Sequence, residues 1–323
     1  MRRSLAPVIA VAAAMLAPAG ASAQAGSPDQ TSAAPAPALQ VKLTGLDGGR
    51  VIAGREWGVR GTVRPFAAGQ RAIVRFWRGG RRIALKEVAI IDAGDGSGSF
   101  SARMIAGAPG RITVRASHRA TPELGSGVSN TTHATVLALR ARPGARGPVV
   151  RLLQSRLAPL GYVVGRRGVY DARTARAVVA FRKLTNMSRT SYASEEVFRR
   201  LARGWGRFKV RYPSHGRHVE ADLTHQVIAL IERGRAVRIY PMSSGKPSTP
   251  TILGSFRVYM KTPGTNSLGM IYSSYFIRGY AIHGYVDVPV YPASHGCLRI
   301  PPAEAVAVYD WVRVGTPVDT YYR

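Results

Sequence analysis

Cysteine occurs once in the 323 residues, at position 297, within the run Ala293-Ser294-His295-Gly296-Cys297-Leu298-Arg299-Ile300, and a separate His283-Gly284 pair stands fourteen residues upstream. Thiol plus imidazole is a pairing suited to nucleophilic acyl chemistry. A thiol with its reference pKa of about 8.5 is mostly protonated at neutral pH, so a cysteine that attacks needs a nearby base or cation. An imidazole titrates close to neutrality and can hold the proton as an ion pair with a thiolate, which makes His283 the candidate base. Gly296 keeps side-chain bulk off the attack path, and the backbone N–H groups from His295 to Cys297 are candidates for an oxyanion hole. Arg299 reads either as an orienting group that meets a substrate carboxylate or as one surface arginine among forty.

Two other readings of these residues stand beside that one. A lone cysteine is commonly a buried, inert core residue, although neighbours as polar and small as Ser294, His295 and Gly296 argue against it. His283, His295 and Cys297 are also zinc-binding residue types, but no paired-histidine helix motif accompanies them and no carboxylate is clearly placed as base. Ser214-His215-Gly216 repeats three letters of the cysteine run and then has Arg217 where the thiol belongs, so it is expected to be a loop. His118, His133, His218 and His225 lack a partner thiol and read as structural or solvated. Tyr272, Tyr275, Phe276 and Tyr280 read as core packing with some members walling a cleft. The Gly264 to Gly269 stretch before them has the composition of a mobile lid.

The elements that must position these groups fall into segments. Arg2 and Arg3, an apolar stretch from about Leu5 to Ala17 and then Ala21-Ser22-Ala23 have the order of a secretory signal peptide, residues 1–23, with cleavage expected after Ala23. That apolar core is shorter than the roughly 20 residues a bilayer crossing requires, and no other segment approaches a transmembrane length. Residues 24–38, rich in Ala, Pro, Ser and Gln, read as a flexible linker. Residues 39–139 carry short strand-like runs such as Trp57 to Val63 and Ala72 to Trp77 between turn signals such as Gly79-Gly80. Their spacing predicts an immunoglobulin-like β-sandwich with a spacer or binding role.

Residues 144–204 switch to helical periodicity. Val150, Leu153, Leu157 and Leu160 fall on one face of a first helix that ends near Gly161. A second is capped by Asp171 and carries Ala175, Val178, Phe181 and Leu184 inward. The third is capped by Ser194, turns Val197 and Leu201 inward, and has Gly204 past its end. Residues 207–323 are mostly β, with one helix from Pro302 to Val312 following the cysteine run. The formal charge of +29 favours anionic partners, but export removes the genome from consideration, and no nucleic-acid partner is expected. Thirteen basic against three acidic residues in 144–203 make that segment the best candidate for contact with an anionic envelope polymer.

The run Val150-Arg151-Leu152-Leu153-Gln154-Ser155-Arg156-Leu157, then Leu160-Gly161-Tyr162, then Gly168-Val169-Tyr170-Asp171-Ala172-Arg173-Thr174-Ala175 onward to Phe181, resembles the peptidoglycan-binding domain family of wall enzymes. Arg182 stands where that family often has glutamine. His283-Gly284-Tyr285 followed by Tyr291-Pro292-Ala293-Ser294-His295-Gly296-Cys297-Leu298-Arg299, with Ser243-Ser244-Gly245-Lys246 to Val258 upstream, resembles the YkuD-like catalytic domain of L,D-transpeptidases. That resemblance implies Cys297 as nucleophile and His283 as general base. It casts His295, Gly296, Ser294 and Arg299 in oxyanion or orienting roles.

The implied substrate is a peptidoglycan tetrapeptide stem, taken through a thioester acyl-enzyme to a 3-3 crosslink or to another acceptor amine. Hydrolysis by an L,D-carboxypeptidase and a non-catalytic wall-binding role are the alternatives. No metal or cofactor is required, carbapenem-type β-lactams are expected to acylate Cys297, and the expected location is secreted or in the cell envelope.

Overall fold

The computed structural model describes residues 34–105 and 107–323, so the expected signal peptide and residues 24–33 of the expected linker lie outside the described residues. The first unit comprises β1 (Ala38–Thr44), β2 (Arg50–Ile52), β3 (Glu56–Arg64), β4 (Arg71–Arg78), β5 (Arg81–Ala89), β6 (Ile91–Asp92), β7 (Gly98–Ile105), β8 (Gly110–His118), β9 (Gly127–Val128) and β10 (Thr132–Leu137). β3 shows why these runs become strands, since Trp57, Val59 and Val63 alternate inward between exposed Glu56, Arg60, Thr62 and Arg64. Two sheets result, ordered β1-β3-β7-β6 and β2-β10-β8-β4-β5, with β9 at the end of β8. Trp57 from the first and Phe76 from the second meet edge to face at 5.8 Å in a shared core.

Three helices follow: α1 (Pro148–Leu157), α2 (Ala172–Leu184) and α3 (Glu195–Ala202). Asp171 caps α2 by accepting from Thr174 N–H at 2.8 Å. Ser194 holds the N-cap position of α3 without a side-chain bond. Glu195 and Glu196 in that first turn supply the negative charge a helix N-terminus favours. The inward face of α2 differs from its periodicity. Val178 and Phe181 are buried as expected, but Ala175 and Leu184 are only half-buried, while Thr174, Ala177, Ala180, Arg182 and Lys183 are covered. The reason is that α2 packs on two partners, its neighbouring helices and the sheet that follows. One hydrophobic cluster runs from Leu153, Val178, Phe181 and Leu201 into Val227, Ala229, Ile231 and Ile239.

That sheet belongs to the last unit: β11 (His218–Asp222), β12 (Val227–Glu232), β13 (Arg235–Pro241), β14 (Gly254–Arg257), β15 (Met260–Thr265), β16 (Ile271–Ile277), β17 (Tyr280–Gly284), β18 (Leu298–Ile300), α4 (Pro302–Trp311) and β19 (Pro317–Tyr321). A five-stranded sheet ordered β13-β12-β11-β19-β14 and a four-stranded sheet ordered β15-β16-β17-β18 enclose a core that includes Val219, Leu230, Phe276, Ile282, Leu298 and Val308. Helices cover both outer sides, α2 against β13 and α4 against β16 and β17. The whole is multidomain and mostly β. Among the described residues no helix is long and apolar enough to cross a membrane.

Candidate active site

Parallel pairing of β17 with β18 aligns Ile282 with Leu298, His283 with Arg299 and Gly284 with Ile300. Cys297 immediately precedes β18, so the short parallel ladder carries the thiol and the imidazole to one sheet edge across the loop of residues 285–296. Both line a cleft of about 550 Å³, together with Tyr280, Tyr285, Ser294, His295, Arg299, Arg278, Gly279, Leu268 and Met270. His283 is buried, and its Nδ1 lies 2.9 Å from the Gly284 carbonyl oxygen. An N–H on Nδ1 donating to that carbonyl leaves Nε2 without a proton, ready to accept one.

Burial pushes the His283 imidazole down to about 4, partly opposed by the Gly284 hydrogen bond and reinforced by the Arg299 charge. Burial likewise pushes the Cys297 thiol up, against the Ala281 backbone hydrogen bond and the Arg299 charge. Both shifts favour the uncharged forms, thiol and neutral imidazole, over the ion pair the sequence suggested, with desolvation the largest cause of each. The Cys297 thiol points its hydrogen bond at the Gly279 carbonyl, at 3.8 Å.

The turn that presents Cys297 is clamped from within. Ser294, fully buried, donates to the Cys297 carbonyl at 2.6 Å and accepts the Gly296 N–H at 3.1 Å. The Gly296 N–H is thus occupied, which leaves the N–H groups of His295 and Cys297 as the oxyanion-hole candidates. Gly296 has φ of +111°, and a Cβ there would fall within the Tyr280 ring, so only glycine fits.

The Ser243–Thr251 stretch supplies the outer clamp. The Ser244 carbonyl accepts from Ala293 N–H and Ser294 N–H, both at 2.9 Å, and Lys246 N–H donates to the Ser294 carbonyl at 2.9 Å. Ser243 exchanges two backbone bonds with Arg299, and Thr251 Oγ1 donates to the Gly296 carbonyl at 2.8 Å. The hydroxyls of Ser243, Thr249 and Thr251 donate to the backbone carbonyls of Tyr291, Ser294 and Gly296, so this stretch braces the loop that carries the cysteine turn.

Arg299 lies with its guanidinium carbon 4.0 Å from the centre of the Tyr285 ring, and that ring meets His283 edge-on at 5.7 Å. His295 is exposed at the cleft rim, with Lys246 Nζ 3.5 Å from its Nε2. Of the aromatic group, only Tyr280 walls the cleft; Phe276 is core and Tyr272 packs on Tyr309. The expected lid is the turn joining β15 to β16. Asn266 organises it, its Oδ1 accepting Leu268 N–H and Met270 N–H, both at 3.0 Å.

His215 sits in a turn before β11, 3.1 Å from Asp319, and lines a different cleft that lacks a thiol. His118, His133, His218 and His225 are held by Gly125, Thr113, Glu220 and Asp222. Among the described residues no three His, Cys, Asp or Glu side chains come together as a metal-binding group. Gln226 lies outside both sequence motifs, yet its bonds with Ser244, Gln226 Nε2 to Ser244 Oγ at 2.7 Å and Ser244 N–H to Gln226 Oε1 at 2.9 Å, support the outer clamp.

The family model for the L,D-transpeptidase catalytic domain matches residues 216–319, and one for a peptidoglycan binding domain matches residues 146–201. A crystal structure of an L,D-transpeptidase from Xylanimonas cellulosilytica is 36% identical, with 56% of this chain and 97% of that one covered at a TM-score of 0.53. L,D-transpeptidase 1 of Mycobacterium tuberculosis is 27% identical over 125 residues, covering 31% of this chain and 48% of that protein. The chain therefore spans about half the length of the curated relative it matches. The catalytic domain of an E. faecium L,D-transpeptidase, solved acylated by ertapenem, is 29% identical, covering 33% of this chain and 97% of that one at a TM-score of 0.28.

Proposed function

This chain belongs to the L,D-transpeptidase family, and from that we propose that Cys297 is the nucleophile and His283 the general base of acyl transfer on peptidoglycan tetrapeptide stems. Cys297 Sγ attacks the carbonyl between the L-centre of the third stem residue and the terminal D-alanine while His283 Nε2 takes the thiol proton. The His295 and Cys297 N–H groups receive the oxyanion. Collapse breaks the C–N bond, His283 returns the proton to the departing amine, and a thioester remains. An acceptor amine then attacks the thioester, passing its proton back through His283 to the thiol, and forms a 3-3 crosslink or attaches another acceptor. Arg299 holds Tyr285 against His283 and meets the substrate's carboxylate. Carbapenem-type β-lactams acylate the same sulfur by ring opening.

One observation carries this reading: the parallel pairing that brings His283 and Cys297 to one cleft with Nε2 left as acceptor. The same proposal covers the rest of the chain. Residues 1–23 export it to the envelope, 24–38 link it, 39–139 form an immunoglobulin-like spacer or binding sandwich, 144–204 bind peptidoglycan as a three-helix module, and 207–323 catalyse.

Incubation with defined tetrapeptide muropeptides, read by mass spectrometry, tests the reaction: crosslinked dimers are expected, tripeptides indicate hydrolysis, and unchanged substrate indicates a wall-binding protein. Ertapenem is expected to add its mass to Cys297, and both Cys297→Ala and His283→Ala to lose turnover. A folded wild-type protein that neither acquires the adduct nor converts stems overturns the reading.

A further inference from the structure

Lys183 lies in the last turn of α2 in the helical unit, is 2% exposed and does not line the Cys297 cleft. Its Nζ donates to the Gln226 carbonyl at 3.0 Å and the Met242 carbonyl at 2.8 Å. Both carbonyls belong to the last unit, one at the entry to β12 and the other just past β13. Among the described residues no carboxylate bonds to this amine, and burial pushes it down to about 7, close to losing its charge, while its two N–H bonds to the carbonyls hold in either state.

The two segments it grips lead to the cysteine turn. Gln226, held at a left-handed φ of +55°, exchanges side-chain bonds with Ser244. The Ser244 carbonyl accepts from Ala293 and Ser294, and the Ser294 hydroxyl ties Gly296 N–H to the Cys297 carbonyl. Arg189, also from the helical unit, adds a second hold, on the first of those segments and on the loop before the cysteine turn. Its Nη1 donates to the Val290 carbonyl at 2.6 Å in the loop leading to the turn, and its Nη2 to the Thr224 carbonyl at 3.2 Å beside Gln226.

We propose that Lys183 and Arg189 are positioning residues for the acyl-transfer reaction: Lys183 through Gln226, Ser244 and Ser294, and Arg189 through Thr224 and Val290, fix the Ser294–Cys297 turn in its reactive shape. The contiguous hydrogen-bond chain is the physical warrant, each link fixing the backbone that the next one depends on. The inference rests on the transpeptidase reading for its consequence in catalysis, while the mechanical coupling stands independently of it. The helical unit thereby contributes to the reaction as well as to any wall binding.

The experiment uses the full chain and two readouts. In Lys183→Met, hydrogen–deuterium exchange of the peptide spanning residues 293–297 is expected to accelerate at least tenfold. The rate of ertapenem acylation is expected to fall roughly tenfold, while alkylation of Cys297 by iodoacetamide, which needs no oxyanion geometry, changes less than twofold. Arg189→Gln, at a half-buried site, is expected to move both readouts in the same direction and keeps the test available if Lys183→Met does not fold. Paired with Gln226→Leu, Lys183→Met is expected to show less than additive loss, because both cut one chain. Unchanged exchange at 293–297 in either folded variant, or fully additive losses, overturns the coupling. Absence of an ertapenem adduct on the wild type overturns the transpeptidase reading and leaves the exchange result to judge the coupling alone.

Discussion

A buried histidine can take a proton only while it is uncharged, and the surroundings of His283 keep it uncharged across most of the physiological range. As the base proposed above, His283 acts in its neutral form, so rate is expected to be lost as pH falls through the value near which the imidazole charges, about 4. The acylation rate plotted against pH is expected to have its acid limb near there and no inflection near the ordinary histidine value; a limb centred near 6.5 contradicts the neutral pair. Gly296 supports a second expectation. Gly296→Ala forces a side chain into a glycine-only conformation and into the Tyr280 ring, at a cost of order 1–3 kcal/mol for the backbone alone. Thermal unfolding should register that loss, and ertapenem acylation should fall by at least tenfold even in the molecules that remain folded.

At the scale of elements, the β15–β16 turn is a pre-shaped rim, since a single Asn266 carboxamide accepts two of its backbone N–H groups. Asn266→Ala releases Leu268 and Met270 from the cleft edge, so KM for stem peptide is expected to rise severalfold with little change in kcat or thermal midpoint. An equal fall in kcat points instead to a rim that shapes the transition state.

How far the elements were legible depends on what forms them. β3 follows from apolar spacing alone, and so does α1 as far as Leu157, where a 3-10 turn over Ala158–Leu160 replaces the expected run to Gly161 and leaves Leu160 half-buried; Cys297 with His283 stood out because few residue types can do their chemistry. The stretch from Ser243 to Thr251 was visible as a motif but not as a scaffold, because its bonds run to backbone groups that leave no trace in side-chain spacing. Lys183 was invisible for the opposite reason. A lysine flanking an apolar helix face ordinarily lies in water, and the carbonyls that bury this one come from positions 226 and 242. The preference of Cys297 and His283 for their uncharged forms was equally unreadable, since burial is a property of the fold.

The whole molecule is divided unevenly. The first β unit has a core of its own and touches the helical cluster with half-buried Ile52, Leu137 and Leu139, whereas the helices and the last sheet share that cluster outright, and Glu304 of α4, 2% exposed, is bound by Arg173 and Arg176 of α2 at 3.0 and 2.6 Å. Removing residues 1–139 is therefore expected to leave a soluble protein that ertapenem acylates within about twofold of the full-chain rate. Removing residues 1–206 uncovers Val227, Ala229, Ile231 and Ile239 and is expected to give an aggregating product without a cooperative thermal transition. A monomeric, cooperatively melting 207–323 fragment contradicts this division.

At the junction of the two fused units, Gly161 has φ of +95°, and a Cβ on it would stand 2.8 Å from the Ala236 carbonyl oxygen, where Ile239 N–H donates back to the Gly161 carbonyl at 2.8 Å. Such a seam limits recombination. A wall-binding module joined by a loose tether can be exchanged between enzymes like a tool on a handle, but here a replacement must bring a glycine at the junction, a lysine that reaches two carbonyls and two arginines for one carboxylate. Chimeras that respect the peptide-level boundary and ignore this seam are expected to inherit the module and lose the enzyme.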